Sequence, residues 1–246
     1  MRTILLACSI LVLLAASVSA QKTKPWTEWS AKDADKVLND SGWGQTLTEG
    51  DNNSQPSSTS AITQTTAARE NTVKNASAAK NVESGEKSDP MSVHYRVRLL
   101  SAKPIRAAFV RKIELQGAPP EKVAQLRTFV DRDFGDYIVV TITIDGTDVK
   151  RRGLATTEIS AADAEALKTT TYLERKDGKR VSLMDYRAPT QDGLGAKFVF
   201  PRMIEGKPFI EADSGEVRFC TQTGKALKIA RRFKVSEMMF DGKLEY

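Results

Sequence analysis

"YIVVTITI", Tyr137 to Ile144, is the stretch from which the fold is read. Ile138, Val140, Ile142 and Ile144 share one face at a period of two, and β-branched side chains suit a pleated surface, so the run is a strand. Asp145-Gly146 then supplies turn residues to close it. Upstream, Val93, Tyr95, Val97 and Leu99 alternate with His94, Arg96 and Arg98, which predicts a second half-buried strand with a basic outer face. Two helices fit between these strands. Pro104 opens the first, whose stripe is Ile105, Ala108, Phe109 and Ile113, and Gly117 with Pro119 ends it. The second runs from about Pro120 to Phe134 and buries Val123, Leu126, Val130 and Phe134.

Downstream the chain is mostly strand. In "TYLERKDGKRVSLMDY", Thr171 to Tyr186, two strand runs flank Asp177-Gly178, a favoured two-residue hairpin turn. Further strands are expected at Lys197 to Phe200, Glu216 to Thr221 and Leu227 to Val235. Ser160 to Lys168 reads as one alanine-rich helix capped by Ser160. Many short strands with turn punctuation indicate a mainly β, α+β domain over residues 90–246: an antiparallel β-sandwich or barrel with a helical hairpin.

The N-terminal third is different. Arg2, the apolar run Ile4 to Val18 and the small residues Val18-Ser19-Ala20 have the order of a signal peptide, residues 1–20. That run is too short for a comfortable bilayer span, which needs ~20 apolar residues, and no later segment approaches that length. The expected product is periplasmic or secreted, without a transmembrane segment once the leader is removed. Residues 45–89 are rich in Ser, Thr, Asn, Gln and Ala, with too few large apolar side chains to offset the entropy of ordering, and read as a disordered linker.

Between leader and linker, residues 21–44 hold all three tryptophans. Ser30 with Asp33 resembles a capping box, Ala34, Val37 and Leu38 follow at helical spacing, and Gly42 is a stop. A helix of about ten residues is marginal alone, so its apolar stripe must dock. Trp26, Trp29, Val37, Leu38 and Trp43 would carry that docking, either onto the protein's own domain or, as a tethered recognition element, onto a partner protein.

Charge supplies a second candidate surface. The formal net charge is +6, and the excess of basic residues lies in 90–246. A two-residue turn at Asp177-Gly178 would set Lys176 against Lys179 and Arg175 against Arg180, like charges that cross-strand pairing penalises. Either Glu174, Asp177 and Asp185 neutralise this tip, or Arg175, Lys176, Lys179 and Arg180 receive an acidic partner. Lys150 to Arg152, and Lys228, Arg231, Arg232 and Lys234, are further basic runs of the kind that solvated faces carry. Export points the positive field toward an envelope protein or an anionic surface and away from nucleic acid.

The inventory for catalysis is thin. His94 is the single histidine and lies on the basic face with no Cys or His companion at metal-ligand spacing. Cys8 leaves with the leader, so Cys220 has no intramolecular partner. Neither a G-x-S-x-G elbow nor a phosphate-cradling glycine loop occurs, and no cofactor or metal is expected. A noncatalytic binding or envelope-structural protein follows; the alternative is an envelope-acting hydrolase with a carboxylate pair, a chemistry that composition cannot exclude.

"KPWTEWSAKDADKVLNDSGW" (24–43), "YRVRLLSAKPIRAAFVRKIEL" (95–115), "TYLERKDGKRVSLMDY" (171–186), "DGLGAKFVFPR" (192–202) and "RRFKVSEMMFDGKLEY" (231–246) together resemble a group of exported bacterial proteins of unknown function. The resemblance implies a tryptophan-bearing N-terminal helix before a β-rich domain and carries no catalytic residues with it. Mass spectrometry of the protein recovered from a bacterial envelope is expected to find Gln21 at its N-terminus.

Overall fold

Residues 24–49, 91–224 and 227–246 are described by a computed structural model; the leader over 1–20 and the linker from residue 50 onward lie outside the described residues. The apolar alternation around "YIVVTITI" builds the centre. β3 (Tyr137–Gly146) lies between β2 (Val93–Leu99) and β7 (Ala196–Pro201), with β1 (Gly44–Thr48) and β6 (Asp185–Arg187) at the edges of an antiparallel five-stranded sheet. Val140 pairs with Leu99 on one side and Phe198 on the other, so large apolar side chains share a face across three strands.

That face meets a second sheet. Its order is β11 (Leu227–Lys234), β10 (Glu216–Thr223), β4 (Tyr172–Arg175) and β5 (Arg180–Ser182). Phe219 of β10 stands edge-on to Phe198 at 5.5 Å and to Phe200 at 6.1 Å between ring centroids, and all three rings are fully buried. The architecture is α+β, a sandwich of two open antiparallel sheets. β8 (Met203–Ile204) with β9 (Lys207–Pro208), and β12 (Met239–Phe240) with β13 (Lys243–Leu244), are small added hairpins.

The stretch Thr171 to Tyr186 is more than one hairpin. β5 stays with β4, but the chain turns at Leu183-Met184, where Leu183 N–H still donates to Thr171 O and Met184 N–H already donates to Val199 O. β6 then pairs with β7, so this run crosses from one sheet to the other and ties the sandwich.

Helices cover part of the remaining face of the five-stranded sheet. α1 (Ala31–Asn39) and α2 (Lys103–Leu115) pack together, and α3 (Pro120–Val130) packs on α2, which completes the expected helical hairpin. Ser30 and Asp33 form the capping box in full, side chain to backbone in both directions. Pro104 and Pro120 occupy first-turn positions. No helix among the described residues is long and apolar enough to cross a membrane.

Several local expectations change. α3 ends at Val130, and Phe134, expected within it, is half-buried beyond its end. Gln45 to Thr48, assigned to the linker, are strand: Thr46 pairs with Arg96 and Leu47 with Tyr95. This edge strand is polar because it gains its bonds from β2 rather than from burying its own side chains. Gly44 starts it where a Cβ would sit 2.3 Å from Leu38 O, so the close approach of α1 demands glycine. Asp145-Gly146 is no turn; β3 runs through it, Asp145 pairs with Arg96 at 2.6 Å, and the chain continues into α4 (Val149–Ser160), capped by the Asp148 side chain. Only Ala155 and Ile159 of α4 are buried, so its sequence lacked a readable stripe. Ser160 therefore ends a helix instead of starting one, and Asp163 caps the shorter α5 (Ala164–Thr170).

The "basic outer face" of β2 is also corrected. His94 is half-buried between Thr48 Oγ1 at 2.9 Å from Nδ1 and Ser92 Oγ at 3.2 Å from Nε2. Arg98 is 5% exposed. Its guanidinium donates to Leu38 O, Asn39 Oδ1 and Thr143 Oγ1 at 2.8–2.9 Å and lies over the Phe109 ring, which fastens the end of α1 to the sheet.

Two substitutions test this docking by chemical denaturation. Trp43→Ala is expected to cost ~3–5 kcal/mol through lost burial and cavity formation. Arg98→Met is expected to cost ~1–3 kcal/mol because the Leu38 and Asn39 acceptors lose their donor. A midpoint unchanged in both would show that α1 adds nothing to the stability of the domain.

Candidate functional site

The tryptophan helix spends its apolar surface within the molecule. Trp29, Leu38 and Trp43 are buried, while Trp26 and Val37 are half-buried. Trp29 and Trp43 each meet the Phe240 ring edge-on at 6.2 Å, and the Trp43 indole N–H donates to Glu245 O at 2.8 Å. The Arg111 guanidinium donates to Trp29 O, and Arg127 lies over the Trp26 ring at 5.9 Å. Of the two docking partners left open, the described residues place the chain's own domain against this helix.

The basic hairpin tip does not converge as its spacing suggested. Arg175 N–H donates to Lys179 O and Gly178 N–H to Arg175 O, so the turn is Lys176-Asp177-Gly178, one residue longer than expected, with Gly178 at φ +86°. The added residue shifts the register: Glu174, not Arg175, faces Arg180. Arg175 pairs with the buried Val217 and turns inward, donating to Phe209 O at 3.1 Å and Asp177 Oδ2 at 2.9 Å. Lys176 and Lys179 stay exposed at the turn. Arg180 lies on the opposite, outer face of the sheet, bonded to Glu174 Oε1 at 2.6 Å and stacked on Tyr172.

A concave site that no sequence signal marked opens where the helical layer stops. α1 and α2 lie over β1 and β2, and on the β3–β7–β6 side of the same face the end of α3 reaches a concavity through Phe129. The row Val139–Val199–Asp185 and the row Thr141–Lys197–Arg187 are set by strand register. Phe129, Arg132 and Phe134, at the end of α3 and just beyond it, form one wall; Arg187 to Leu194 form the other. Between them lies a groove of about 600 Å³.

Its floor and walls are mainly Leu100, Phe129, Phe134, Tyr137, Val139, Met184, Leu194 and Val199, and Tyr137 and Met184 are more than two-fifths exposed. Exposed aromatic and thioether surface beside a concavity is the usual mark of a ligand site. The rim is charged. Asp192 accepts from Lys197 Nζ at 2.7 Å and Asp185 from Arg187 at 3.2 Å. Burial pushes the Asp192 carboxyl up, but the bonds from Lys197, Leu194 N–H and Thr190 outweigh it and hold the group below the usual carboxylate range. Arg132 is the rim cation with no carboxylate within ion-pair distance among the described residues; its guanidinium lies 5.6 Å from the Phe134 ring. Among the described residues no group of three or more His, Cys, Asp and Glu side chains could hold a metal ion.

Glu174 offers a pH test of the corrected register. Burial raises its carboxyl, yet the bonds from Arg180 and Arg218 prevail and lower it below its ordinary value of 4.5. A carboxylate lowered on folding stabilises above its unfolded value, and that contribution is lost as pH falls through the folded one. Glu174→Gln is therefore expected to be less stable than the parent near pH 7, with the two denaturation midpoints converging as the pH drops below about 4.5.

No family model matches the chain, and no curated protein matches it. Among solved structures, a protein of unknown function from Burkholderia pseudomallei is similar over 56% of this chain and 72% of its own, at 10% identity and a TM-score of 0.35, a likeness too slight to carry an argument about fold or role.

Proposed function

We propose that the protein is an exported, noncatalytic binding protein of the cell envelope whose ligand is an amphiphile held in the groove beside β3 and β7. The observation that carries this reading is the groove itself: about 600 Å³ with an apolar floor and, at its edge, Arg132, which has no carboxylate within ion-pair distance among the described residues. That volume lies within the ~300–1,000 Å³ typical of small-molecule sites. An acyl or aromatic body would lie over Tyr137, Val139, Met184 and Val199, and an acidic head would reach Arg132, where a charge-assisted bond needs no existing ion pair to break.

The hydrolase alternative lacks support at this site. A general acid needs a carboxyl raised toward neutral pH, and Asp192 is lowered by its lysine partner. The groove's other carboxylate, Asp185, is held by Arg187. The expectation of export rests on the leader in residues 1–20, and the size of the groove favours a ligand over a purely structural role.

Dodecanoate is the probe, measured by calorimetry and by displacement of 8-anilinonaphthalene-1-sulfonate fluorescence. Met184→Glu, on an exposed side chain, is expected to weaken binding at least tenfold without moving the melting temperature. Arg132→Ala is expected to weaken dodecanoate severalfold and leave dodecanol unchanged. Absence of binding to the parent protein would overturn the reading.

A further inference from the structure

The outer face of the four-stranded sheet carries a line of guanidinium groups that outnumber the two carboxylates, Glu174 and Glu216, lying beside them among the described residues. Across β5, β4, β10 and β11 the directly opposed residues are Arg180, Glu174, Arg218 and Arg232. Glu174 accepts from both Arg180 and Arg218, one carboxylate for two cations. Arg232 is exposed and has no carboxylate within ion-pair distance among the described residues. It faces Arg218 directly, and like charges at directly opposed positions destabilise a sheet. Lys228, four residues before Arg232 on the same face of β11, is also exposed and extends the field.

Spacing and texture select the partner. Neighbouring strands lie ~4.8 Å apart, so the row from Arg180 to Arg232 spans ~14 Å in a nearly straight line. Guanidinium forks match carboxylates bidentately, and Arg180 and Arg218 each keep N–H donors beyond those that Glu174 takes. None of the large exposed apolar side chains among the described residues, such as Leu154 and Met239, belongs to these four strands, so the face lacks the anchors with which a protein enters a bilayer.

We propose that this face binds a linear acidic polysaccharide through the row Arg180, Arg218 and Arg232, the polymer's carboxylates relieving the opposed arginine pair. The surface lies across the sandwich from the apolar groove and is tested separately from it.

Polygalacturonate is the probe, with phosphatidylglycerol vesicles as the comparison. The parent protein is expected to bind the polymer at 50 mM salt and to lose affinity at least tenfold by ~300 mM, as counterion-linked contacts do. Arg232→Glu is expected to weaken polymer binding at least tenfold while raising the melting temperature, because the like-charge opposition becomes a pair; dodecanoate binding should not change. Lys150→Glu, the same charge change on the exposed surface of α4, should leave polymer binding within twofold. No binding at low salt, an equal loss in Lys150→Glu, or tighter binding to the vesicles than to the polymer would overturn the proposal.

Discussion

Two buried arginines hold the layers of this protein together, and each does so at the C-terminal end of a helix. Arg98 reaches from β2 to Leu38 O and Asn39 Oδ1 where α1 ends. Arg106, on α2 and 4% exposed, donates to Val130 O at the last residue of α3 and to Leu100 O and Ser101 O before α2 begins. Burial pushes both guanidinium groups down to about 10, still far above neutrality, so both remain charged in the folded protein. A buried cation needs acceptors, and helix C-termini present orphan carbonyls with partial negative charge. Phe109 and Phe134 lie against the two guanidiniums, 5.2 and 4.8 Å from ring centroid to the guanidinium carbon.

This arrangement decides where the surface is closed and where it is open. α1 is drawn over β1 and β2 by Arg98, with Trp29 and Trp43 wedged against Phe240. α3 is drawn back onto α2 by Arg106. Beyond that point β3, β7 and β6 are left with a partly uncovered apolar face, and the groove is the consequence of a helical layer narrower than its sheet. The opposite side of the sandwich is rich in basic residues. An apolar concavity therefore lies on one side and a row of arginines on the other.

Much of the local structure could be read directly. β2 and β3 followed from alternation, α2 and α3 from their proline starts and stripes, and the capping box of α1 from Ser30 and Asp33. β10 and β11 lay within two residues of their expected bounds. These are features in which a residue's neighbours in the chain are also its physical partners. The stripes were less complete than expected, because Ile113 and Leu126 are only partly covered while Arg106, on the same helix as Ile113, is enclosed.

By itself the sequence determined the main strands of both sheets, the helices α1 to α3, the α+β class and the need of the tryptophan helix for a surface to dock on, since propensity, capping and periodicity act within a few residues. Only the tertiary structure decided the rest. Gln45 to Thr48 became a strand because β2 offered an edge, although their own side chains announce nothing. Arg98 alternates like a solvated residue, and it is buried because the end of α1 arrives above it. A three-residue turn moved Glu174 opposite Arg180, and the corner at Leu183-Met184 carried β6 into the other sheet. The groove needed strand register, the end of α3 at Val130 and the loop from Arg187 to Leu194 to meet in space, and no spacing along the chain records a meeting between elements so far apart.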